Sequence, residues 1–286
     1  MADLTDNRTI FKILRFMNDI QDQNNARYLK YRSKFFISEF IGTALLLLAG
    51  LSIVIFMFGS GSPMATLIPN VKVRQIITGF LFGSVGASIA LSNIGKMSGA
   101  HINPAVTMVF WLFRKIEGRL AITYVLAQLT GAIIGCLPLL IWGSMGRSID
   151  FGATYPGEGY SSQTAFLGEV ITTFTMVLLL IVFIGFRQIR QFTPYMFPFL
   201  YAIMVPLEAA ISGTSTNPAR SLGPAVISGQ WQGWWIYFIG PIAGAFMASL
   251  AGSVLAKRIT IAKLYYFDGE SEGDILLRRS GLQKPG

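Results

Sequence analysis

The sequence predicts an all-α membrane protein of six transmembrane helices plus two re-entrant half-helices, arranged as an inverted repeat. Three observations predict it. The 286-residue chain is 52% apolar and only 13% charged, the composition of an integral membrane protein rather than a soluble domain. Its apolar residues fall in blocks at about 35–58, 75–94, 120–143, 164–186, 195–211 and 234–256, each near the ~20 residues a helix needs to cross hydrocarbon. The frame Ser-Gly, three variable residues, Asn-Pro-Ala occurs twice, as "SGAHINPAVT" at 98–107 and "SGTSTNPARS" at 212–221, with an offset of 217 − 103 = 114.

The chain divides into an N-terminal tail, 1–34, a membrane domain, 35–256, and a C-terminal tail, 257–286. The tail's first 33 residues hold four Asp and six Lys or Arg with no continuous apolar core, unlike a cleaved signal peptide. Within it "TIFKILRFM", 9–17, puts Ile10, Ile13, Leu14 and Met17 on one helical face, suited to lying on the inner leaflet. Runs such as "LLLLAGLSIVIFMF" and "VLLLIVFI" do not alternate as barrel strands must, which excludes a membrane β-barrel. The acidic run "DGESEGD", 268–274, reads as a solvated tail.

The net charge of +9 is distributed as a membrane topology requires and does not point to nucleic acid. With the N-terminus inside, 19 of the 23 Lys and Arg fall on cytoplasmic segments. The outside keeps Lys72, Arg74 and Arg147, while Arg220 sits in the second Asn-Pro-Ala segment. Both termini are expected in the cytoplasm of a cell-membrane protein, plasma membrane or bacterial inner membrane. Cys136, the single cysteine, excludes an intrachain disulfide.

Each half has three spans and one motif, the first repeat at about 35–143 and the second at about 164–256. An odd number of crossings inverts the second half relative to the first, and inverted repeats build a site at the bilayer midplane. The halves also begin alike: "SEFIGTALLLL", 38–48, and "GEVITTFTMVLLL", 168–180, place Glu39 and Glu169 near the start of a span. Three specified residues recur by chance on the order of once in several thousand positions; two copies inside one longer frame indicate a built feature.

Asn before Pro reads as a helix start, with Asn103 and Asn217 as N-caps and Pro104 and Pro218 at the first helical position, where a missing N–H costs nothing. The helix "PAVTMVFWLF" has about ten residues before "RKIEGR" ends it, and "PARSLGPAVI" is equally short; each spans half a membrane. Two half-helices entering from opposite faces meet N-terminus to N-terminus, each carrying roughly half a positive charge that repels cations and protons. The approach loops must line a wet cavity, because non-helical backbone at membrane depth is tolerated only there or within protein. Asn103 and Asn217 then offer amide donors to a passing neutral molecule.

These two boxes, over about residues 35–256, resemble the signature of the aquaporin, or major intrinsic protein, family. The resemblance implies a right-handed six-helix bundle with two half-helices, a homotetramer with one pore per subunit, and partners limited to water, small neutral solutes and the lipid bilayer. It implies pore residues Asn103, Pro104, Ala105, Asn217, Pro218 and Ala219, and a selectivity filter of four positions. The arginine after the second box is Arg220; the fifth-helix position, 12 before the second Asn, falls on Val205; the loop position three before it is Thr214. The second-helix position, counted 20 before the first Asn, falls on Gly83, or on Phe82 if one residue is inserted. The resemblance also implies that Glu39 and Glu169 hold the loops through backbone hydrogen bonds.

A Gly, Val, Thr, Arg ring is wide and weakly polar, whereas Ser221 after the filter arginine, with Ala225, Tyr237 and Phe238, resembles the water-conducting branch. The expected function is a passive channel for water that also passes glycerol, urea, ammonia or hydrogen peroxide and excludes ions and protons. Two alternatives stand beside it: a glycerol facilitator with water secondary, and a gradient-coupled transporter, which would want a coupling-ion site that positive helix ends oppose. His101, the only histidine, is expected to support its loop or line the pore. Glu208 has no symmetric partner in the second helix and is expected near the outer vestibule. No metal-ligand cluster or nucleophile–base pair is apparent at membrane depth, so neither enzyme chemistry nor a cofactor is expected.

Overall fold

The computed structural model describes residues 7–256, 258 and 259, with side chains from Arg32 onward. The face of 9–17 and the acidic run 268–274 therefore lie outside the described side chains and residues. Every regular element described is helical. The principal helices are α1 (Asn7–Phe58), α2 (Val71–Leu91), the half-helix α3 (Pro104–Leu112), α4 (Gly118–Cys136), α5 (Ser162–Gly185), α6 (Thr193–Glu208), the half-helix α7 (Pro218–Ser228) and α8 (Ile236–Ala251).

Four stretches, Arg32–Phe58, Val71–Leu91, Gly118–Arg147 and Ser162–Gly185, are long and apolar enough to cross a membrane by length and composition. The helices α6 and α8 have 16 residues each, about 24 Å at 1.5 Å per residue. The last span is shorter than the sequence suggests, because α8 breaks at Gly252 and only a single turn, Ser253–Ala256, follows. Polar caps mark several helix starts: Asn70 accepts from the Val73 amide at 3.2 Å, and Ser161 from the Thr164 amide at 3.1 Å.

The packing follows the repeat. In each half the first helix lies against the third, α1 on α4 and α5 on α8, while the two second helices, α2 and α6, cross each other. Each half-helix packs on the third helix of the opposite half, α3 on α8 and α7 on α4. This exchange interlocks the halves. Backbones approach closely at these crossings: a Cβ on Gly135 would fall 2.4 Å from the Ala44 carbonyl oxygen, and one on Gly244 would fall 2.4 Å from that of Val170. Such contacts replace the hydrophobic driving force that helices lack in lipid.

Large apolar side chains face outward all round the bundle, among them Ile122, Ile171, Phe199, Leu207 and Leu250. The hydroxyls of Ser84, Thr130 and Thr175 donate to the carbonyls of Phe80, Leu126 and Ile171, one turn back. A lone hydroxyl is thereby satisfied where no water is at hand. The polar groups left over point inward.

The α2–α6 crossing allows a direct test. A Cβ on Gly79 would lie 2.2 Å from the Tyr201 carbonyl oxygen, and one on Gly83 would lie 2.7 Å from that of Phe197. Neither neighbour is a side chain that can swing away. Gly79→Val is expected to lower the unfolding temperature in detergent, through an overpacking penalty of about 1–3 kcal/mol. Thermal unfolding followed by circular dichroism checks it, and an unchanged midpoint would contradict the crossing.

Candidate functional site

The repeat in the sequence is also a repeat in the backbone. Left-handed φ occurs at Gly99 (94°), Ala100 (51°) and Ile102 (41°), and again, 114 residues on, at Gly213 (91°), Thr214 (51°) and Thr216 (54°). Non-glycine residues rarely adopt this region, least of all β-branched ones such as Ile102, Thr214 and Thr216, and they hold it only where surrounding bonds over-determine it.

Two buried carboxylates supply those bonds. Glu39 Oε1 accepts from the His101 amide at 3.0 Å and the Ser98 hydroxyl at 2.5 Å; its Oε2 accepts from the Ile102 amide and Gln128 Nε2, both at 2.7 Å. In the second half Glu169 Oε1 accepts from the Ser215 amide and the Ser212 hydroxyl, both at 2.7 Å, and Oε2 accepts from the Thr216 amide at 2.8 Å. Both glutamates are fully buried. Such loops need these partners, because an unpaired amide at this depth has no water to bind.

Glu208 stands beside this second cluster. Its Oε1 also contacts the Ser212 hydroxyl, while its Oε2 is buried without a partner. Glu208 is 5% exposed, sits against Gly168 of α5, and is not among the residues lining the wide cavity.

From the loops the chain enters the half-helices. Asn103 and Asn217 are N-caps whose Oδ1 accepts from the amides of Ala105 at 2.8 Å and Ala219 at 3.0 Å. Each asparagine also reaches across the midplane. Asn103 Nδ2 donates to the Thr216 carbonyl and Asn217 Nδ2 donates to the Ile102 carbonyl, both at 2.9 Å. Each NH₂ group has two hydrogens, so one remains for a ligand. Pro104 and Pro218 occupy the first helical positions, and Ala105 and Ala219 are fully buried just behind them.

Two cavities meet beside these asparagines. The wider, about 290 Å³, lies towards the Phe58 end of α1 and is lined by Val205, Thr214 and Arg220 among others. The narrower, about 60 Å³, is lined by Asn103, Asn217, Gly83 and Val106 among others, and is large enough to hold water. Phe82, Tyr201, Ser215 and Arg220 line both. Arg220 Nη1 donates to the Gly152 carbonyl at 2.7 Å, and its guanidinium carbon lies 6.0 Å from the centre of the Phe82 ring.

Of the two alternatives from the second helix, Phe82 is the side chain facing Arg220. Gly83 is pressed against the backbone of Phe197 and Pro198 at the helix crossing and lines the narrow cavity, whereas Phe82 lines both. The Phe82 ring finds space because α1 has a glycine behind it, since a Cβ on Gly50 would lie 2.6 Å from the ring. His101 is 2% exposed, its Nδ1 is 3.2 Å from the Thr107 hydroxyl, and its ring packs 4.5 Å from Phe110 and 5.0 Å from Tyr124. It also lines the narrow cavity. Sequence reasoning missed Tyr201, Gln128 and the Gly152 carbonyl. Only Tyr201 carried a signal, as a hydroxyl-bearing aromatic one helical turn before Val205 in an apolar span. Among the described residues no group of metal-ligating side chains occurs.

Comparison with known proteins agrees with this geometry. The family model described as Major intrinsic protein matches residues 27–251. The chain belongs to the major intrinsic protein family. It is 34% identical over 240 residues to Aquaporin AqpM of Methanothermobacter marburgensis, covering 77% of this chain and 96% of that one. It is 32% identical over 219 residues to Aquaporin-4 of Mus musculus, covering 74% of this chain and 64% of that one. The X-ray structure of the aquaglyceroporin from Plasmodium falciparum superimposes with a TM-score of 0.64 at 20% identity, over 77% of this chain and 94% of the other, a likeness of fold. As a major intrinsic protein this chain is a transmembrane channel and not an enzyme.

The two glutamates of the second half respond differently to amidation. Glu169→Gln leaves a donor facing the Ser215 or Thr216 amide, and is expected to cost about 1–3 kcal/mol and to lower the yield of folded protein. Glu208→Gln supplies an N–H to the Ser212 hydroxyl and is expected to be tolerated. Detergent size-exclusion profiles and melting temperatures of the two variants check the difference; equal losses would contradict it.

Proposed function

We propose that the protein is a water channel that passes ammonia and hydrogen peroxide, admits urea and glycerol more slowly, and excludes ions and protons. The observation that carries this reading is the junction of the two cavities. There Arg220 and the Phe82 ring face each other next to the paired asparagines. A narrow cavity of about 60 Å³ suits water in file. Thr214 and Val205 border the wide cavity on the other side of that junction.

Charge exclusion rests on three positive sources at one level: the N-termini of α3 and α7 and the guanidinium of Arg220. Val205 and Thr214 line the vestibule, Arg220 and Phe82 line the narrow point, and Asn103 and Asn217 direct the solute's oxygen. Glu39 and Glu169 hold the loops. The basic residues of the tails and loops favour both termini in the cytoplasm of a cell membrane, so the wide cavity opens outward. The functional unit is a homotetramer with one pore in each subunit.

Stopped-flow light scattering on proteoliposomes, comparing osmotic water flow with urea and glycerol uptake in one preparation, tests this reading. Water flow well above protein-free vesicles with slower solute uptake is expected. Solute uptake as fast as water flow would replace it with a broad neutral-solute channel. In the same vesicles Arg220→Val is expected to raise proton or cation leak by about tenfold, equivalent to lowering the barrier by about 1.4 kcal/mol. A leak equal to wild type would remove Arg220 from the charge barrier.

A further inference from the structure

The vestibule residues given by motif counting, Val205 and Thr214, touch only the wide cavity. The helix α6 nevertheless contributes a side chain at the junction, one turn from Val205 towards the asparagines. Tyr201 lines both cavities together with Phe82, Ser215 and Arg220. We infer that Tyr201 is a specificity-determining residue of this channel and that its ring, packed beside Phe82 on the wall where the cavities meet, sets the size of solute that passes. The inference rests on the channel reading above and locates the size cut-off within it.

Contacts at both ends hold the residue. Its hydroxyl lies 2.7 Å from Thr216 Oγ1, where either oxygen can donate, and 3.4 Å from Met176 Sδ. At its other end the Tyr201 backbone is seated on Gly79, where any side chain would collide with its carbonyl. The Phe82 ring lies 6.3 Å away centre to centre, tilted by 45°, within the range of a direct aromatic contact. Phe82 is backed by α1 at Gly50, so its ring has no free space behind it.

A ring held at both ends gives a stiff wall, and stiffness is what a size filter needs. Val205 offers less: it is a small side chain in a cavity of about 290 Å³, too roomy to reject urea or glycerol. The Tyr201 hydroxyl is also tied to the loop that joins the two asparagines, since the carbonyl of Thr216 accepts from Asn103. Truncating the ring therefore widens the path, whereas removing only the hydroxyl releases one loop contact and leaves the width alone.

The test measures urea and glycerol uptake relative to water flow in proteoliposomes for Tyr201→Ala, Tyr201→Phe and Val205→Ala. For Tyr201→Ala the solute-to-water ratio is expected to rise by about tenfold, the factor given by about 1.4 kcal/mol off the solute barrier. Tyr201→Phe is expected to keep the wild-type ratio, and Val205→Ala to change it by much less than Tyr201→Ala. An unchanged ratio in Tyr201→Ala would overturn the inference. So would a Tyr201→Phe ratio matching that of Tyr201→Ala, because the effect would then act through the loop bond and not through ring size. If Tyr201→Ala fails to assemble, a Val205→Ala ratio raised about tenfold overturns the inference and a ratio near wild type supports it. Wild-type vesicles without water flow above background would instead remove the channel reading itself.

Discussion

Four backbone amides at membrane depth, those of His101, Ile102, Ser215 and Thr216, have no helical partner, and the site depends on their being satisfied. Two buried carboxylates do this, each accepting two consecutive amides. Burying a carboxyl group is costly, and the cost is met by the number of donors: Glu39 accepts four hydrogen bonds and Glu169 three from the loop and Ser212. Without them the left-handed residues of the loops would relax, and the half-helices would lose their starting points.

Pinned loops put two helix N-termini face to face, an arrangement that repels itself. Each end carries about half a positive charge. At roughly 5 Å and an effective dielectric near 20, the pair would oppose a monovalent cation by about 3 kcal/mol. Stripping water from an ion costs several kcal/mol in addition, so desolvation is the larger part of the barrier and the dipoles deepen it. The asparagines then hold the ends together. Each gives one amide hydrogen to the carbonyl before its counterpart and keeps the other for the solute. A neutral molecule that both donates and accepts replaces its hydration at little cost, while an ion does not.

The architecture was legible in the sequence because it is written as repetition. Span lengths, the paired Asn-Pro-Ala frames and the paired glutamates follow from period and offset alone, and the offset of 114 reappears in the backbone angles. What motif counting leaves open is helical phase. One residue turns a side chain by about 100°, so of the two alternatives Gly83 sits at the helix crossing and its neighbour Phe82 faces Arg220. Tyr201 was legible only as a hydroxyl-bearing aromatic one turn before Val205, because nothing else in an apolar span announces which face meets the pore. The bond from Arg220 to the Gly152 carbonyl depends on a loop conformation that no local pattern encodes. The shortening of α8 at Gly252 reflects a break inside an apolar run, where hydropathy alone shows continuity.

Where the halves differ separates what the fold needs from what selectivity needs. At the offset of 114, Arg220 corresponds to Val106, Thr214 to Ala100 and Ser215 to His101. The first loop is braced by a packed core, with the His101 ring between Phe110 and Tyr124 and the Tyr124 hydroxyl on the Ser98 carbonyl. The second is braced by hydroxyls: Thr154 and Ser215 meet at Ser221 within 2.6 Å and 2.5 Å, and Tyr201 meets Thr216. A fold that builds one half-helix around Val106 has no structural need for a buried arginine at the matching place in the other. A charge at membrane depth without a structural role is a functional expense. The glutamates, asparagines and prolines that occur in both halves accordingly carry the architecture. On the channel reading proposed above, the residues present in only one half, Arg220, Thr214 and Tyr201, are where a relative of the same fold can change its solute without rebuilding its helices.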